Sequence, residues 1–361
     1  MSHAGSIGLK KRLALNLFRR YTQNITREHK LNYIMWECTL RCNLSCLHCG
    51  SDCHTSSTQK DMPAAAFLKA IDEIVPIVNP NTTTVVFTGG EPLVRSDLED
   101  VGRELYRRGF PWGIVSNGMQ LTQKRLQSLI ESGLRSATIS LDGLEETHNW
   151  FRNHQSSYVN AMKAIELLAA TPNIAFDVVT CVTAKSLEEL PTLRTKFISL
   201  GVRQWRLITV FPRGRAKDNP DLTLNPTQFK ILMEFIANTR KDGTISTSYG
   251  CEGFLGQYEN EVRDGFFFCR SGITVASILA DGSITGCTSM RNDFVQGNIY
   301  YDSFVDVWEN KFQAMRDKSW TKVGLCASCS SYKWCQGNGL HLHSRVGDEP
   351  AICHLKMLES E

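Results

Sequence analysis

The stretch CTLRCNLSCLHCGSDC, residues 38–53, decides how this sequence is read. Within it, Cys42, Cys46 and Cys49 form CxxxCxxC just after a strand-like run, YIMWECT at 33–39. A loop with that spacing can turn three thiolates toward one point. Three ligands suit a four-iron cluster whose fourth iron stays open. A structural zinc site wants four closed ligands, and Cys38 or Cys53 could complete such a set, so the motif alone leaves zinc open. Cys38 and Cys53 read more simply as small buried side chains.

Around this loop lies a chain of 361 residues, 13 of them cysteine. Disulfide scaffolds are short and secreted, so thiols in a chain of this length point to metal or cluster ligation. Lys+Arg 40 against Asp+Glu 37 gives a net charge of +3. No basic stripe with interleaved aromatics stands out, so no nucleic-acid partner is expected.

Strand-like runs at 33–39, 83–88, 112–117, 136–143, 174–180 and 203–210 alternate with helix-like runs at 63–77, 97–109, 122–132, 157–170, 186–200 and 226–239. Six βα units in series predict an α/β fold with a parallel sheet and right-handed crossovers. Six units rather than eight suggest a partial (β/α)6 barrel with its site at the C-terminal ends of the strands. Beyond this region the helical period fades and seven cysteines follow: Cys251, Cys269, Cys287, Cys326, Cys329, Cys335 and Cys353. Here VASILADGSITGC (275–287) reads as a hairpin about Asp281-Gly282. The expected division is a basic amphipathic helix within 1–32, the partial barrel over 33–245 and a cysteine-rich domain over 246–361.

Residues 7–20, IGLKKRLALNLFRR, predict a helix with Ile7, Leu9, Leu13, Leu17 and Phe18 near one side, packed on the body. Its apolar run is too short to span a bilayer and no cleavage site follows, so a cytoplasmic location is expected. Lys10, Lys11, Arg12, Arg19 and Arg20 make peripheral membrane contact the sharper alternative.

Polar clusters recur where the predicted strands end. Strand two ends in TGGEPL (88–93), strand three in Ser116-Asn117-Gly118, and strand four in Ser140-Leu141-Asp142-Gly143, with Arg152 ten residues past Asp142. A GG or NG pair alone is usually a turn. Successive strands ending this way, behind CxxxCxxC, form a much stronger combination.

Over roughly residues 33–240 the chain resembles the radical S-adenosylmethionine (SAM) enzymes. The resemblance implies that Cys42, Cys46 and Cys49 hold a 4Fe–4S cluster whose open iron takes the methionine amino and carboxylate groups of SAM. One electron then breaks a carbon–sulfur bond, giving methionine and a 5′-deoxyadenosyl radical. It also implies that Gly89, Gly90 and Glu91 line the methionine amino group. Asn117 and Ser140 would contact the ribose or the carboxylate, and Arg152 the carboxylate. Asp142 becomes the candidate catalytic residue, for substrate contact or proton handling. A flavodoxin- or ferredoxin-like protein is the implied electron donor. His48 stands where the family often has Tyr or Phe, a change expected to affect packing over the cluster and not ligation.

Residues 250–355 resemble the SPASM extension of that family, which carries auxiliary clusters. The family pattern implies a closed auxiliary 4Fe–4S cluster on Cys326, Cys329, Cys335 and Cys353. Gly339 stands where a further cysteine is expected, so a second auxiliary cluster, on Cys269, Cys287 and Cys251, stays open. His341 and His343 lie just past the gap; a polar pair in a turn is the simpler reading.

Members with this extension mostly modify peptides or proteins, so the resemblance implies hydrogen abstraction from a ribosomally made polypeptide. The chain also resembles a narrower branch associated with a small lipoprotein. Only 32 residues precede the first strand, so no fused peptide-recognition domain is expected. The alternatives are radical oxidation or decarboxylation of a small molecule such as a tetrapyrrole or sugar, and a non-catalytic cluster- or zinc-binding scaffold. An oxygen-sensitive cluster implies reducing, anaerobic surroundings.

Overall fold

The computed structural model describes residues 7–250 and 252–360. After helix α1 (Leu9–Glu28), strands and helices alternate: β1 (Tyr33–Thr39), α2 (Ala64–Ile74), β2 (Thr84–Gly89), α3 (Leu98–Arg107), β3 (Trp112–Ser116), α4 (Gln123–Glu131), β4 (Leu134–Ser140), α5 (Glu145–Arg152), α6 (Ser157–Ala169), β5 (Ala175–Val182), α7 (Ala184–Ser199), β6 (Gln204–Thr209), α8 (Pro226–Asp242) and β7 (Ser246–Tyr249). Strands β1 to β7 are parallel neighbours in chain order. Strand β8 (Val275–Ile278) docks parallel to the outer side of β1, followed by the antiparallel β9 (Ser283–Thr285) and β10 (Gly297–Asn298). The order β10-β9-β8-β1-β2-β3-β4-β5-β6-β7 leaves β10 and β7 as edges, so the sheet is an open, partial barrel.

Three features depart from the sequence pattern. Strand β7 and helix α5 are too short, at four and eight residues, to show a clear period. The sheet also crosses residue 245: β7 lies beyond it and β8 pairs Tyr33 with Val275. The expected hairpin forms, with Gly282 at φ 87 in the turn and Leu279 N–H donating to the Ser283 carbonyl at 2.8 Å. That left-handed φ suits glycine.

Strands buried between the sheet and its helices carry large rings. Trp36 stacks on Phe67 with centroids 3.9 Å apart, and Phe87 stacks on Trp112 at 5.0 Å. The Arg95 guanidinium covers Trp36 at 4.9 Å and grips Asp97 through two bonds of 2.8 and 2.6 Å. These contacts hold the start of the sheet rigid beneath the cysteine loop.

Helix α1 forms as expected and runs on to Glu28, ending at His29 in a left-handed turn. Its apolar residues do not share one side. Ile7 and Leu15 are buried, and Phe18 meets Phe266 at 5.4 Å, whereas Leu9, Leu13, Leu17 and Tyr21 form an outward row four residues apart. Trp334 Nε1 donates to Asn16 at 2.9 Å and Lys11 pairs with Glu261 at 3.0 Å, so α1 packs against the cysteine-rich part. Among the described residues no helix is long and apolar enough to cross a membrane.

Helix α3 approaches the sheet through Gly102, where an added Cβ would lie 2.3 Å from the Trp112 ring. Gly102→Val should therefore destabilise the fold by about 1–3 kcal/mol through overpacking. A urea unfolding midpoint unchanged from the parent would contradict this packing.

Candidate active site and cluster-binding loops

The cysteine loop leaves β1 and is closed by Cys42 N–H donating to the His54 carbonyl at 2.9 Å. Asp61 pins its start, accepting from Thr39 and Arg41 at 2.5 Å each. Cys42 and Cys46 are buried and Cys49 is half-buried, and all three line one cavity of about 600 Å³. Each sulfur has an N–H aimed at it. Leu44 N–H lies 3.4 Å from Cys42, Arg152 Nη1 3.8 Å from Cys46 and Cys53 N–H 3.3 Å from Cys49. The Cys53 thiol also hydrogen-bonds Cys49 and holds its pKa below the usual thiol range, despite burial. Such donors favour thiolates over thiols, against burial, which pushes Cys42 up to about 12 and raises Cys46.

The close approach of β2 to this loop explains the glycine pair. A Cβ on Gly89 would lie 2.2 Å from the Thr39 carbonyl oxygen, and one on Gly90 2.2 Å from that of Arg41. Both glycines line the cavity. Glu91 is fully buried instead. Its carboxylate accepts from Ser116 Oγ and Asn117 N–H at 2.8 Å each and from Leu93 N–H at 3.1 Å. Burial raises its pKa and these bonds oppose the rise. Glu91 thus acts on the cavity through the backbone it holds.

Asn117 and Ser140 line the cavity from the ends of β3 and β4. Asn117 Nδ2 donates to Asn43 Oδ1 at 2.7 Å, tying the third strand to the cysteine loop. Arg152 reaches the cavity from the last residue of α5, its Nε donating to Asp142 at 2.6 Å. Asp142 lies behind it and is not among the cavity-lining residues. It is 1% exposed and its second oxygen accepts from Cys181 N–H at 2.9 Å. Despite burial, Arg152 and His148 hold its pKa below the usual carboxylate range. Asp142 can therefore position Arg152 but does not itself face the cavity.

His48 stacks on Phe151 at 3.9 Å with ring planes 5° apart. Burial and then Arg152 pull its pKa to about 3, so the ring is neutral. Its Nδ1 has no hydrogen-bond partner although His48 lines the cavity. The room for another group beside the three thiols is the cavity itself.

The sequence reading missed most of the remaining rim. Arg213, Arg215, Lys217 and Arg291 join Arg152 around the cavity, and among the described residues no carboxylate lines it. Arg215 pairs with Asp52 at 2.8 Å and Arg291 pairs with Glu37, both carboxylates lying outside the lining. Arg213 donates to the carbonyls of His341 (2.8 Å) and His343. The visible signal was PRGRAK (212–217), a basic run directly after β6.

The later cysteines form two groups. Cys326, Cys329, Cys335 and Cys353 line one cavity of about 80 Å³, with Asn338 N–H donating to Cys335 at 3.2 Å. Cys269 and Cys287 are near enough that a Cys269 thiolate adds to the burial that raises the Cys287 pKa. Cys251 lies outside the described residues. At Gly339 an added Cβ would meet the His341 ring at 2.6 Å, so that imidazole occupies the side-chain space of the expected cysteine. His343 is different: its ring nitrogens meet the carbonyls of Asp348 at 2.8 Å and Gly337 at 2.7 Å and are both taken.

These donor sets fit iron–sulfur clusters. No disulfide joins the described cysteines, and among the described residues no three His, Cys, Asp or Glu side chains gather to hold a single ion. Zinc would draw its thiolates to about 2.3 Å of one point. A four-iron cluster spreads them over separate irons.

Comparison with known proteins agrees. Residues 36–193 match the radical SAM superfamily, and residues 269–330 match SPASM, an iron–sulfur cluster-binding domain. An AdoMet-dependent heme synthase from Methanosarcina barkeri is 25% identical over 333 residues, covering 87% of this chain and 93% of its own. A mycofactocin maturase from Mycobacterium tuberculosis is 26% identical over 309 residues, covering 84% and 77%. The crystal structure of Streptococcus suis SuiB bound to S-adenosylmethionine superimposes with a TM-score of 0.70 at 15% identity, over 95% of this chain and 82% of that one, a likeness of fold. The chain carries a radical SAM domain over residues 36–193 and a SPASM domain over residues 269–330, and it is an enzyme that uses SAM.

Proposed function

We propose that this enzyme abstracts hydrogen from a carboxylate-bearing substrate, with a ribosomally made polypeptide as the first reading. The cavity carries the argument: among the described residues five cations line it and no carboxylate does. Arg152 would take the SAM carboxylate, leaving the other cations for substrate. Of these, Arg213 meets only carbonyls, and Lys217 is exposed at the rim. Guanidinium groups bind carboxylates with good geometry. A peptide substrate of the mycofactocin maturase kind fits a wall of mixed polar and apolar residues, in which Phe211 and His48 supply the aromatic rings among the described residues. The second reading, a propionate-bearing tetrapyrrole, is favoured by the near full-length match with heme synthases.

In this reading Cys42, Cys46 and Cys49 would hold the radical-site cluster, and that cluster would supply the one-electron chemistry that makes SAM a source of hydrogen abstraction. Gly89 and Gly90 leave room at the methionine amino group, while Asn117 and Ser140 face the rest of SAM. Asp142 keeps Arg152 oriented, and neutral His48 shields the cysteine loop. Cys326, Cys329, Cys335 and Cys353 hold one auxiliary cluster, and Cys269 and Cys287 contribute to a second. A flavodoxin- or ferredoxin-like donor would supply the electron.

Reduced, anaerobically reconstituted protein should release 5′-deoxyadenosine from SAM, and Cys46→Ala should not; release by that variant would remove the ligand assignment. Arg152→Met should keep its iron but bind SAM roughly tenfold or more weakly by calorimetry, matching the about 1.5–3 kcal/mol of a charged hydrogen bond. Acidic peptides should stimulate release above the substrate-free rate, and Lys217→Glu should weaken that response. Stimulation by a propionate-bearing tetrapyrrole alone, with loss of carbon dioxide from it, would select the second reading. Stimulation by neutral compounds only would contradict both.

Location follows from α1, which we read as a contact for an anionic lipid surface. Leu9, Leu13, Leu17 and Tyr21 are 75%, 57%, 67% and 60% exposed, beside the exposed Lys10 and Arg20. Apolar residues and flanking cations on one helix face suit peripheral binding. The protein should float with vesicles containing phosphatidylglycerol at low salt, less at high salt, and Leu13→Glu should stay behind. Failure to float, or dimerisation through this row, would overturn the lipid reading.

A further inference from the structure

We propose that the buried ammonium of Lys318 is a shared counter-charge for the two auxiliary cysteine sets and raises the reduction potential of both clusters. The proposal rests on the reading that both sets hold clusters. Lys318 is only 7% exposed. Its carbonyl is held by Thr321 Oγ1 at 2.7 Å and Tyr332 OH at 2.8 Å, which fixes where the side chain starts. Its Nζ donates to the Cys269 carbonyl at 3.1 Å and stands 5.5 Å from the Phe268 ring centroid.

An ammonium has three N–H donors, and among the described residues this one donates to a single carbonyl. A buried cation is costly unless opposite charge lies nearby. Burial pulls the Lys318 pKa below the usual lysine value, and the charges that oppose this are the Cys269 and Cys335 thiolates, one from each set; among the described residues it forms no ion pair with a carboxylate. Cys269, Lys318 and Cys335 also line one narrow space of about 20 Å³, which Leu15 of α1, Phe254, Phe267 and Trp334 share with Arg19 and Lys333. A space of that size leaves little room for water, so a fixed charge there is weakly screened.

Reduction adds one negative charge to a cluster, and net charge and solvent exposure set cluster potentials. A cation beside both sets favours the reduced form of each. The two potentials move together, which keeps an electron able to pass between them.

The test is redox titration of the full reconstituted protein, followed by electron paramagnetic resonance, for wild type, Lys318→Met and Lys318→Arg. In Lys318→Met the reduced-to-oxidised ratio of both auxiliary signals, read at one ambient potential, should fall about tenfold, or about 59 mV for one electron. The radical-site signal should not move, and Lys318→Arg should match wild type. Unmoved auxiliary potentials at full iron content would overturn the proposal, as would movement of one signal only. If Lys318→Met loses auxiliary iron, retention by Lys318→Arg supports a charge role, and equal loss in both overturns it. A single auxiliary signal in wild type would defeat the two-cluster premise, a separate failure visible before any variant is made.

Discussion

The site depends on one backbone contact, where the end of β2 presses on the start of the cysteine loop. Gly90 N–H donates to the Thr39 carbonyl at 2.8 Å and Glu91 N–H to that of Arg41 at 3.0 Å. Side chains at positions 89 and 90 would overlap those carbonyls, so the clasp needs glycine at both. The next residue extends it: Glu91 holds Ser116 and Asn117, and Asn117 reaches back to Asn43 in the loop. Three strand ends and one loop therefore form a closed ring of hydrogen bonds. The thiol positions follow from that ring.

Electrostatics complete it. Cationic and N–H groups surround the sulfurs, while the carboxylates that balance them, Asp142, Asp52 and Glu37, sit outside the cavity. An anionic cluster with a carboxylate-bearing cofactor is suited to such a shell. The same arrangement recurs on a smaller scale at Lys318. In both places anionic groups offset part of the hydration that a buried cation loses.

Much of this was legible in the sequence because alternating βα units and cysteine spacing are local patterns. What stayed hidden depends on contacts between distant segments. Asp142 looked like a rim residue because it follows β4, yet the turn into α5 places Arg152 in front of it. Gly89 and Gly90 suggested space for a ligand, but their missing side chains also admit backbone from β1. Ser246–Tyr249 was too polar and short to read as a strand, and the docking of Val275–Ile278 on β1 joins residues some 240 positions apart. Lys318 carries no motif; only burial and its two thiol neighbours single it out.

The central claim is that the Cys42, Cys46 and Cys49 loop presents an iron with an open position to SAM. Electron–nuclear double resonance on the reduced protein, with SAM labelled by nitrogen-15 in its amino group, tests it most directly. The account predicts a hyperfine coupling from that nitrogen to the cluster, present in the parent protein and absent from Cys46→Ala. A reduced radical-site cluster that shows no coupling with SAM bound would contradict it.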